Sequence, residues 1–428
     1  MAVCNASLPT GHIDLPEFDR AIAALEIQWR AAGIYEPSPV RLAVILLFTG
    51  CLALASARLS GHRPLLGGLL MGLAILSHFR HAHECGHQKG WHRPQLYSSK
   101  EAHTMALYVN TNLFAGVDGI AWQAEHRMHH AFTLSDRDPQ IPMHKGALMP
   151  ICATDEAPLA DFLARHPLGG TMLRWQEVFF VPFLTVMGKH YLAFLTYRRI
   201  SRPKVEPVAN DHQQLRKLLL LGHYLLLAAA VWLFVWKSKS ARHHTRSQGL
   251  QNVAFWLLGC SCGAGLIEPM FLFNHVHTGR STHRHASDRV AQMCHTINYQ
   301  MRLPWWLPLD ELLMPVAYHI EHHIAPKVPD ENLPRITADI QRVAAQFGLP
   351  FRTQRIETLA WDYTRQLARV PRDRWGGAGA VVPIVLPILL ATLCWLSLTS
   401  PRLASRARVV NDSDGVMTQK ELEPLLDT

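Results

Sequence analysis

LLLLGHYLLLAAAVWLFVW, residues 218–236, decides the fold class. As a helix this stretch rises about 28 Å, close to the thickness of a bilayer's hydrocarbon core. A soluble core would instead interleave apolar and polar residues at helical period. Tryptophans gather at its far end, where such residues mark the boundary between lipid and water. Three comparable runs lie on either side. They are 40–58 (VRLAVILLFTGCLALASAR), 64–79, and 250–273, the last leading directly into Asn274, His275 and His277. The second run ends in His78, and its helix is expected to continue to His87. The expected fold is an all-α integral membrane protein with four transmembrane helices and a helical cap outside the membrane.

Two further apolar segments carry too many polar groups to cross cheaply. Residues 103–121 contain Asn110, Asn112 and Asp118, which predicts a re-entrant or interfacial hairpin. Residues 175–197 contain Glu177, Pro182, Lys189 and His190, which predicts an interfacial segment. Residues 379–398 hold Pro383 and Pro387 and read as a fifth span or an interfacial segment. Residues 15–32 carry apolar side chains at helical spacing. They predict an amphipathic helix, lying on the membrane surface or packed on the rest of the chain. The organisation is then 1–38 polar and amphipathic, 39–345 membrane domain, 346–378 polar segment, 379–400 apolar segment and 401–428 polar tail. In the tail, Asp412, Asp414, Gly415 and Glu421 fall at positions three, five, six and twelve of a calcium loop. Val410 at position one makes it degenerate.

Hydrophobic residues make up 49% of the chain and charged residues 18%, with a formal net charge of +9. The basic side chains Arg41, Lys100, Arg198, Arg199, Arg216 and Lys217 flank the apolar runs, which suits lipid headgroups better than a nucleic-acid groove. Eight cysteines show no spacing of a disulfide framework. The first 36 residues are polar and contain no secretory signal. Counting basic residues places the cytosol or stroma on the side that follows the second and fourth runs, although KSKSARHHTR at 237–246 runs against the rule.

The 26 histidines are the outlying number, and they cluster as HECGH at 83–87, HRMHH at 126–130 and HIEHH at 319–323. At this histidine frequency an HxxHH triplet should arise by chance on the order of 0.1 times; two occur. Positions i, i+3 and i+4 share a helix face, so His126, His129 and His130 are expected to converge on one point, as are His319, His322 and His323. His83 and His87 form an i, i+4 pair. Imidazole suits zinc, copper and iron. Eight imidazoles exceed what one four-coordinate zinc uses, so two metal ions fit the count better. The bland reading is a set of histidines satisfying one another or lipid phosphates. Two spans before box one and two between boxes two and three bring all three boxes to the same side, provided 175–197 does not cross.

The three boxes against paired spans resemble the integral-membrane fatty acid desaturase and hydroxylase superfamily. The likeness is closest to acyl-lipid and front-end desaturases and covers roughly residues 35–345. EPSP at 36–39, SDRDPQ after box two and HIEHHIAPKVPDENLPRI at 319–336 match in kind and place. The resemblance implies two iron ions held by His83, His87, His126, His129, His130, His319, His322 and His323. It implies a ninth ligand after the last span, for which His275 is the choice, His277 the rival, and Asn274 a partner acting through water. Glu84, Glu125 and Glu321 flank these ligands and could orient imidazoles. Asp136 and Asp138 read as turn caps or headgroup contacts. Trp122, Trp305 and Trp306 read as tunnel gates or an aromatic belt.

The implied activity is oxygen-dependent desaturation of a lipid acyl chain in the endoplasmic reticulum or plastid, with the site on the cytosolic or stromal side. Hydroxylation uses the same constellation, and a histidine-rich metal transporter is the remote rival. No HPGG haem motif occurs, because HPLGG at 166–170 breaks it. The expected electron donor is therefore separate, a cytochrome b5 or ferredoxin. Box three opens with His319 where front-end members usually carry glutamine.

Overall fold

The computed structural model describes residues 15–87, 99–134, 138, 176–201, 212–236, 246–275, 289–300 and 317–375. His277, Asp136, Trp305, Trp306, HPLGG, the 379–398 run and the tail lie outside the described residues, as does all but the last residue of the 237–246 loop.

The described chain is mostly helical. In order come α1 (Leu15–Ala31), α2 (Pro39–Leu59), α3 (Pro64–His87), α4 (Lys100–Tyr108) continuing as a π-helical stretch Val109–Ala115, α5 (Gly119–Phe132), α6 (Gln176–Ser201) and α7 (Gln213–Ala230), which ends in a π-helical stretch Val231–Trp236. Then follow α8 (Arg246–Gly265), α9 (Ile267–Phe273), α10 (Arg289–Cys294), β1 (Asn298–Gln300), α11 (His319–Ile324), a 3-10 turn Asp330–Asn332, α12 (Leu333–Gln346), β2 (Thr353–Arg355) and α13 (Ile356–Trp375). The all-α expectation misses one detail. β1 and β2 pair in parallel, Asn298 against Thr353, and tie the chain on either side of box three.

Among the described residues, three helices are long and apolar enough to cross a membrane: Pro64–His87, Gln213–Trp236 and Ser247–Phe273. A fourth apolar stretch, Ala43–Leu59 within α2, is shorter. Proline opens α2 and α3, where its missing N–H has no helical partner to lose. α3 runs unbroken from Pro64 to His87, so one rigid rod joins the apolar bundle to box one.

α3 and α8 pack backbone to backbone. Gly68 and Gly72 of α3 lie against Trp256, Cys260 and Ala264 of α8, and Gly259 and Gly263 of α8 lie against Leu65 and Leu69 of α3. A Cβ on Gly72 would sit 2.6 Å from the amide nitrogen of Ala264. Small residues four apart permit such close approach where lipid supplies no hydrophobic drive to association.

The polar residues of the short apolar segments turn inward. Asp118 caps α5 through the Ala121 amide at 2.9 Å and accepts from Arg216 Nε at 2.8 Å, while Asn112 Nδ2 donates to the same carboxylate at 2.8 Å. Arg216 is therefore not a headgroup cation. It is buried as the counter-charge of Asp118, because an unpaired carboxylate there would be costly. On α6, Lys189 Nζ lies 3.0 Å from His223 Nε2 of α7, and His190 Nε2 lies 2.8 Å from Ser261 Oγ of α8.

Of the two readings of α1, the structure shows packing on the chain. Phe18, Ile22, Leu25 and Trp29 are buried against Ile320 and Ile324 of α11 and Ile336, Ile340 and Val343 of α12. Trp29 Nε1 also donates to Asp339 at 2.8 Å. The apolar face that would have met lipid is covered by protein. A second core joins Leu76 of α3, Phe180 and Leu184 of α6, Met270 and Phe273 of α9, and Leu359, Tyr363 and Leu367 of α13.

Candidate metal centre

The site is assembled where the end of α3, the helices α5 and α11, and His275, two residues after α9, meet. All three boxes arrive at one place, as a parse that keeps α6 out of the crossing count requires. His83, His87, His126 and His322 form one group, and His129, His275, His319 and His323 a second. Within each group the ligand atoms lie within 4.8 Å of one another. All of these imidazoles are buried except that of His87, which is half-buried. His130 lies between the groups. Its Nε2 is 3.2 Å from that of His126 and 3.0 Å from that of His322, and its ring stacks on His323 at 4.2 Å.

This partition corrects the expectation that each HxxHH triplet converges on one point. A helix turns about 100° per residue, so i+3 falls about 60° to one side of i and i+4 about 40° to the other. In box two His129 leaves His126 for the other group. In box three His322 leaves His319 and His323. Each triplet therefore serves both groups.

Hydrogen bonding behind the rings fixes which nitrogens face the centre. His275 Nδ1 lies 2.9 Å from the His295 carbonyl, which can only accept, so Nδ1 carries the proton. His129 Nδ1 lies 2.8 Å from Asp138 Oδ2, which also accepts from the Leu134 amide at 2.9 Å. In the neutral tautomers, with both Nδ1 atoms donating, the Nε2 lone pairs of His129 and His275 point at each other at 3.2 Å. His319 Nε2 approaches the same His275 atom at 2.8 Å. In the first group His83 and His126 face each other through Nε2 at 3.0 Å. Each Nε2 offers one proton or one lone pair, so hydrogen bonds alone do not satisfy chains of such contacts. His323 Nε2 is buried with no hydrogen-bond partner among the described residues. Metal–imidazole bonds of about 2.1 Å would set neighbouring nitrogens roughly 3.0–3.4 Å apart, close to the observed spacings. The donor set therefore fits two metal ions.

Burial, reinforced by neighbouring imidazoles, pushes His126, His130, His322 and His323 well below the ordinary histidine range. Burial brings His275 to about 3. At neutral pH these rings are uncharged, the form that binds metal.

Apolar groups close the centre. Trp122 stacks on His126 at 4.8 Å and 15°. Phe271 lies 6.1 Å from His319 and 6.4 Å from His83, facing both groups. Trp122 is thus beside the imidazoles and not in an interfacial belt, because α5 points it into the core formed by Phe79, Leu192 and Trp256.

Two of the flanking acids, Glu84 and Glu321, brace the backbone and neighbouring side chains. Glu84 accepts from the Asp330 amide at 2.8 Å. Glu321, its pKa raised by burial, accepts from Asn298 Nδ2 at 2.7 Å and Thr337 Oγ1 at 2.6 Å. It braces α11 on β1 and α12. Glu125 is buried on α5. Asn274 Nδ2 donates to the Ile297 carbonyl, anchoring the residue before His275. Sequence reasoning took Asp138 for a cap or headgroup contact and missed its place behind His129. Its position eight residues after His130, in SDRDPQ, was the available signal. Phe271 was missed altogether.

The fatty acid desaturase family profile matches residues 61–355. Among curated proteins, the Delta(5) fatty acid desaturase fat-4 of Caenorhabditis elegans is 24% identical over 358 residues, covering 81% of this chain and 72% of the relative. An acyl-lipid 8-desaturase of Rebecca salina is 24% identical over 357 residues, 78% of this chain and 72% of the relative. An acyl-lipid (8-3)-desaturase of the same organism is 25% identical over 333 residues, 76% and 68% respectively.

Proposed function

Because the chain belongs to the fatty acid desaturase family, we propose that it is an oxygen-dependent di-iron enzyme that introduces a double bond into a lipid acyl chain. The observation that carries this reading is the facing pair of bare Nε2 lone pairs on His129 and His275, set within two four-histidine groups. The iron ligands are His83, His87, His126 and His322 in one group and His129, His275, His319 and His323 in the other, with His130 bordering both. His275, not His277, is the ligand after the last span.

The overall change converts –CH2–CH2– to –CH=CH–. Dioxygen, two electrons and two protons become two waters, together with the two hydrogens taken from the chain. Iron bound at the two groups supplies dioxygen reduction and the oxidising power that an unactivated C–H bond requires. The protein's residues do the rest. Asp138 and the His295 carbonyl fix the tautomers of His129 and His275, as the partners of metal-bound imidazoles commonly do. Trp122 and Phe271 exclude water and offer the apolar wall along which methylenes lie. The relatives' names support an acyl lipid as substrate. Electrons come from a separate cytochrome b5 or ferredoxin. α2 serves as a fourth span beside the three longer helices. The catalytic unit at 39–345 is completed by α1 and α13, and the histidine side faces the cytosol of the endoplasmic reticulum.

Expression in a host with a donor system, with lipid profiles of wild type and His322→Ala, tests the reading. New double bonds in the wild type, lost in the variant, are expected. An added oxygen atom in the product would replace desaturation by hydroxylation. Iron content measured on the same preparations should be two per chain.

A further inference from the structure

The first histidine group takes His83 and His87 from α3 but His322 from α11, more than two hundred residues away. Something other than the imidazoles must set the register between these two helices before metal arrives. The tripeptide Asp330–Glu331–Asn332, just after box three, makes three separate attachments. The Asp330 amide donates to Glu84 Oε1 at 2.8 Å, and its carboxylate Oδ2 lies 3.4 Å from Arg80 Nε. Glu331 Oε1 accepts from the Ser38 amide at 2.9 Å, at the start of α2. Asn332 Nδ2 donates to the carbonyls of Ile34 at 2.9 Å and Glu36 at 3.2 Å, in the loop after α1.

Arg80 and Glu84 stand one turn apart on the face of α3 that also follows His83. Arg80 is 3% exposed and Asp330 2%. Among the described residues the Arg80 guanidinium meets no acceptor in hydrogen-bonding geometry, and Asp330, at 3.4 Å, is its closest counter-charge. A buried charge with a single partner is strongly specific for that partner, since losing either leaves the other uncompensated. Glu84 adds a directional hydrogen bond to the backbone at the same residue. A side-chain charge and a backbone amide thus fix Asp330 to α3 from two directions, and the short segment 325–329 links Asp330 to box three.

We propose that Arg80 and Glu84 are positioning residues which, through Asp330, hold box three in register with box one and so complete the first histidine group. The proposal rests on the di-iron reading above. It assigns to Arg80 a role in the reaction without contact with substrate or metal. The second histidine group takes no ligand from α3, and its box-three ligands are braced separately by Asn298, which donates to Glu321 and accepts from the Ile320 amide, so the clasp bears on it less.

The test uses the full-length protein purified in detergent, loaded with iron, and compared with Arg80→Ala, Asp330→Asn and the exchange Arg80→Asp/Asp330→Arg. The readouts are iron per chain, the time course of iron release to a chelator, and helical content. Wild type should hold two irons. Each single variant should keep its helical content yet hold close to one iron firmly, the other leaving at least tenfold faster than in wild type. The exchange should restore slow release of both. A purely structural role would lower thermal stability and loosen both irons alike. If Arg80→Ala fails to fold, Asp330→Asn, nearly isosteric, carries the same expectation. Two tightly held irons in both single variants would overturn the proposal, as would equal loosening of both irons or an exchange that restores nothing. A wild type that binds no iron would instead overturn the di-iron reading itself.

Discussion

Asp138 offers a graded perturbation of the second histidine group. It is 1% exposed, and one carboxylate oxygen, Oδ2, accepts both from His129 Nδ1 at 2.8 Å and from the Leu134 amide at 2.9 Å. In Asp138→Asn the amide oxygen can take the place of Oδ2 and keep both hydrogen bonds, so only the charge is lost. In Asp138→Ala both bonds go, His129 Nδ1–H loses its acceptor, and the ring is free to rotate or change tautomer. Residues behind metal-bound histidines are worth about 10–100-fold in metal affinity. The asparagine variant should fall at the low end, about 1.4 kcal/mol, and the alanine variant at the high end, about 2.7 kcal/mol. Competition with a graded series of chelators measures each iron separately, and lipid profiles from the same cells report product. The loss should fall on one iron of two, because His129, which Asp138 hydrogen-bonds, and His275, on which its charge acts, both belong to the second group. An alanine variant within twofold of wild type would refute the reasoning. An asparagine variant as damaged as alanine would show that charge, not hydrogen-bond geometry, holds the ring.

Other outcomes follow from the packing and the burial. Gly72→Leu should abolish the α3–α8 contact, since even a Cβ falls 2.6 Å from the Ala264 amide nitrogen; loss of monodisperse protein in detergent would register it. Asp118→Asn should cost about 3–5 kcal/mol by leaving Arg216 buried without its counter-charge, read as a lower melting temperature, whereas Asp118→Asn with Arg216→Met should recover part of it. Metal-free protein should weaken on acidification. Unfolded histidine titrates near 6.5 and buried His275 near 3, so between these values the unfolded chain binds a proton that the folded one does not. Stability then falls as pH drops below 6.5, by about 1.4 kcal/mol per pH unit for this one ring. A melting temperature flat from pH 7 to pH 5 would contradict it.

The parts of this architecture legible in the sequence are those set by local periodicity and composition. Helices long enough to cross, the continuation of α3 to His87 and the eight box histidines all follow from runs and spacings within one helix. Which histidine joins which group was not legible, because it depends on how α3, α5 and α11 are rotated against one another. A helical face is too coarse a description when i+3 and i+4 diverge by about 100°. The inward turn of Arg216 was also hidden, since flanking cations look alike until a buried carboxylate claims one of them. The covering of α1 was undecided for a related reason: amphipathicity reports that a face is buried, not whether lipid or protein buries it. The close packing of α3 on α8 is different. GLLMG at 68–72 and GCSCG at 259–263 are visible signatures of close helix contact and were open to being read.

The division of each HxxHH triplet between the two groups bears on biosynthesis. Box three supplies His322 to one group and both His319 and His323 to the other. The first group is therefore complete on a nascent chain only once residue 322, and the second only once residue 323, has left the ribosome and α11 has met the helices made long before it. Truncated or stalled products carry boxes one and two without a finished cage for either ion. The order of synthesis thus places completion of both histidine groups, and any metal capture by them, last in maturation.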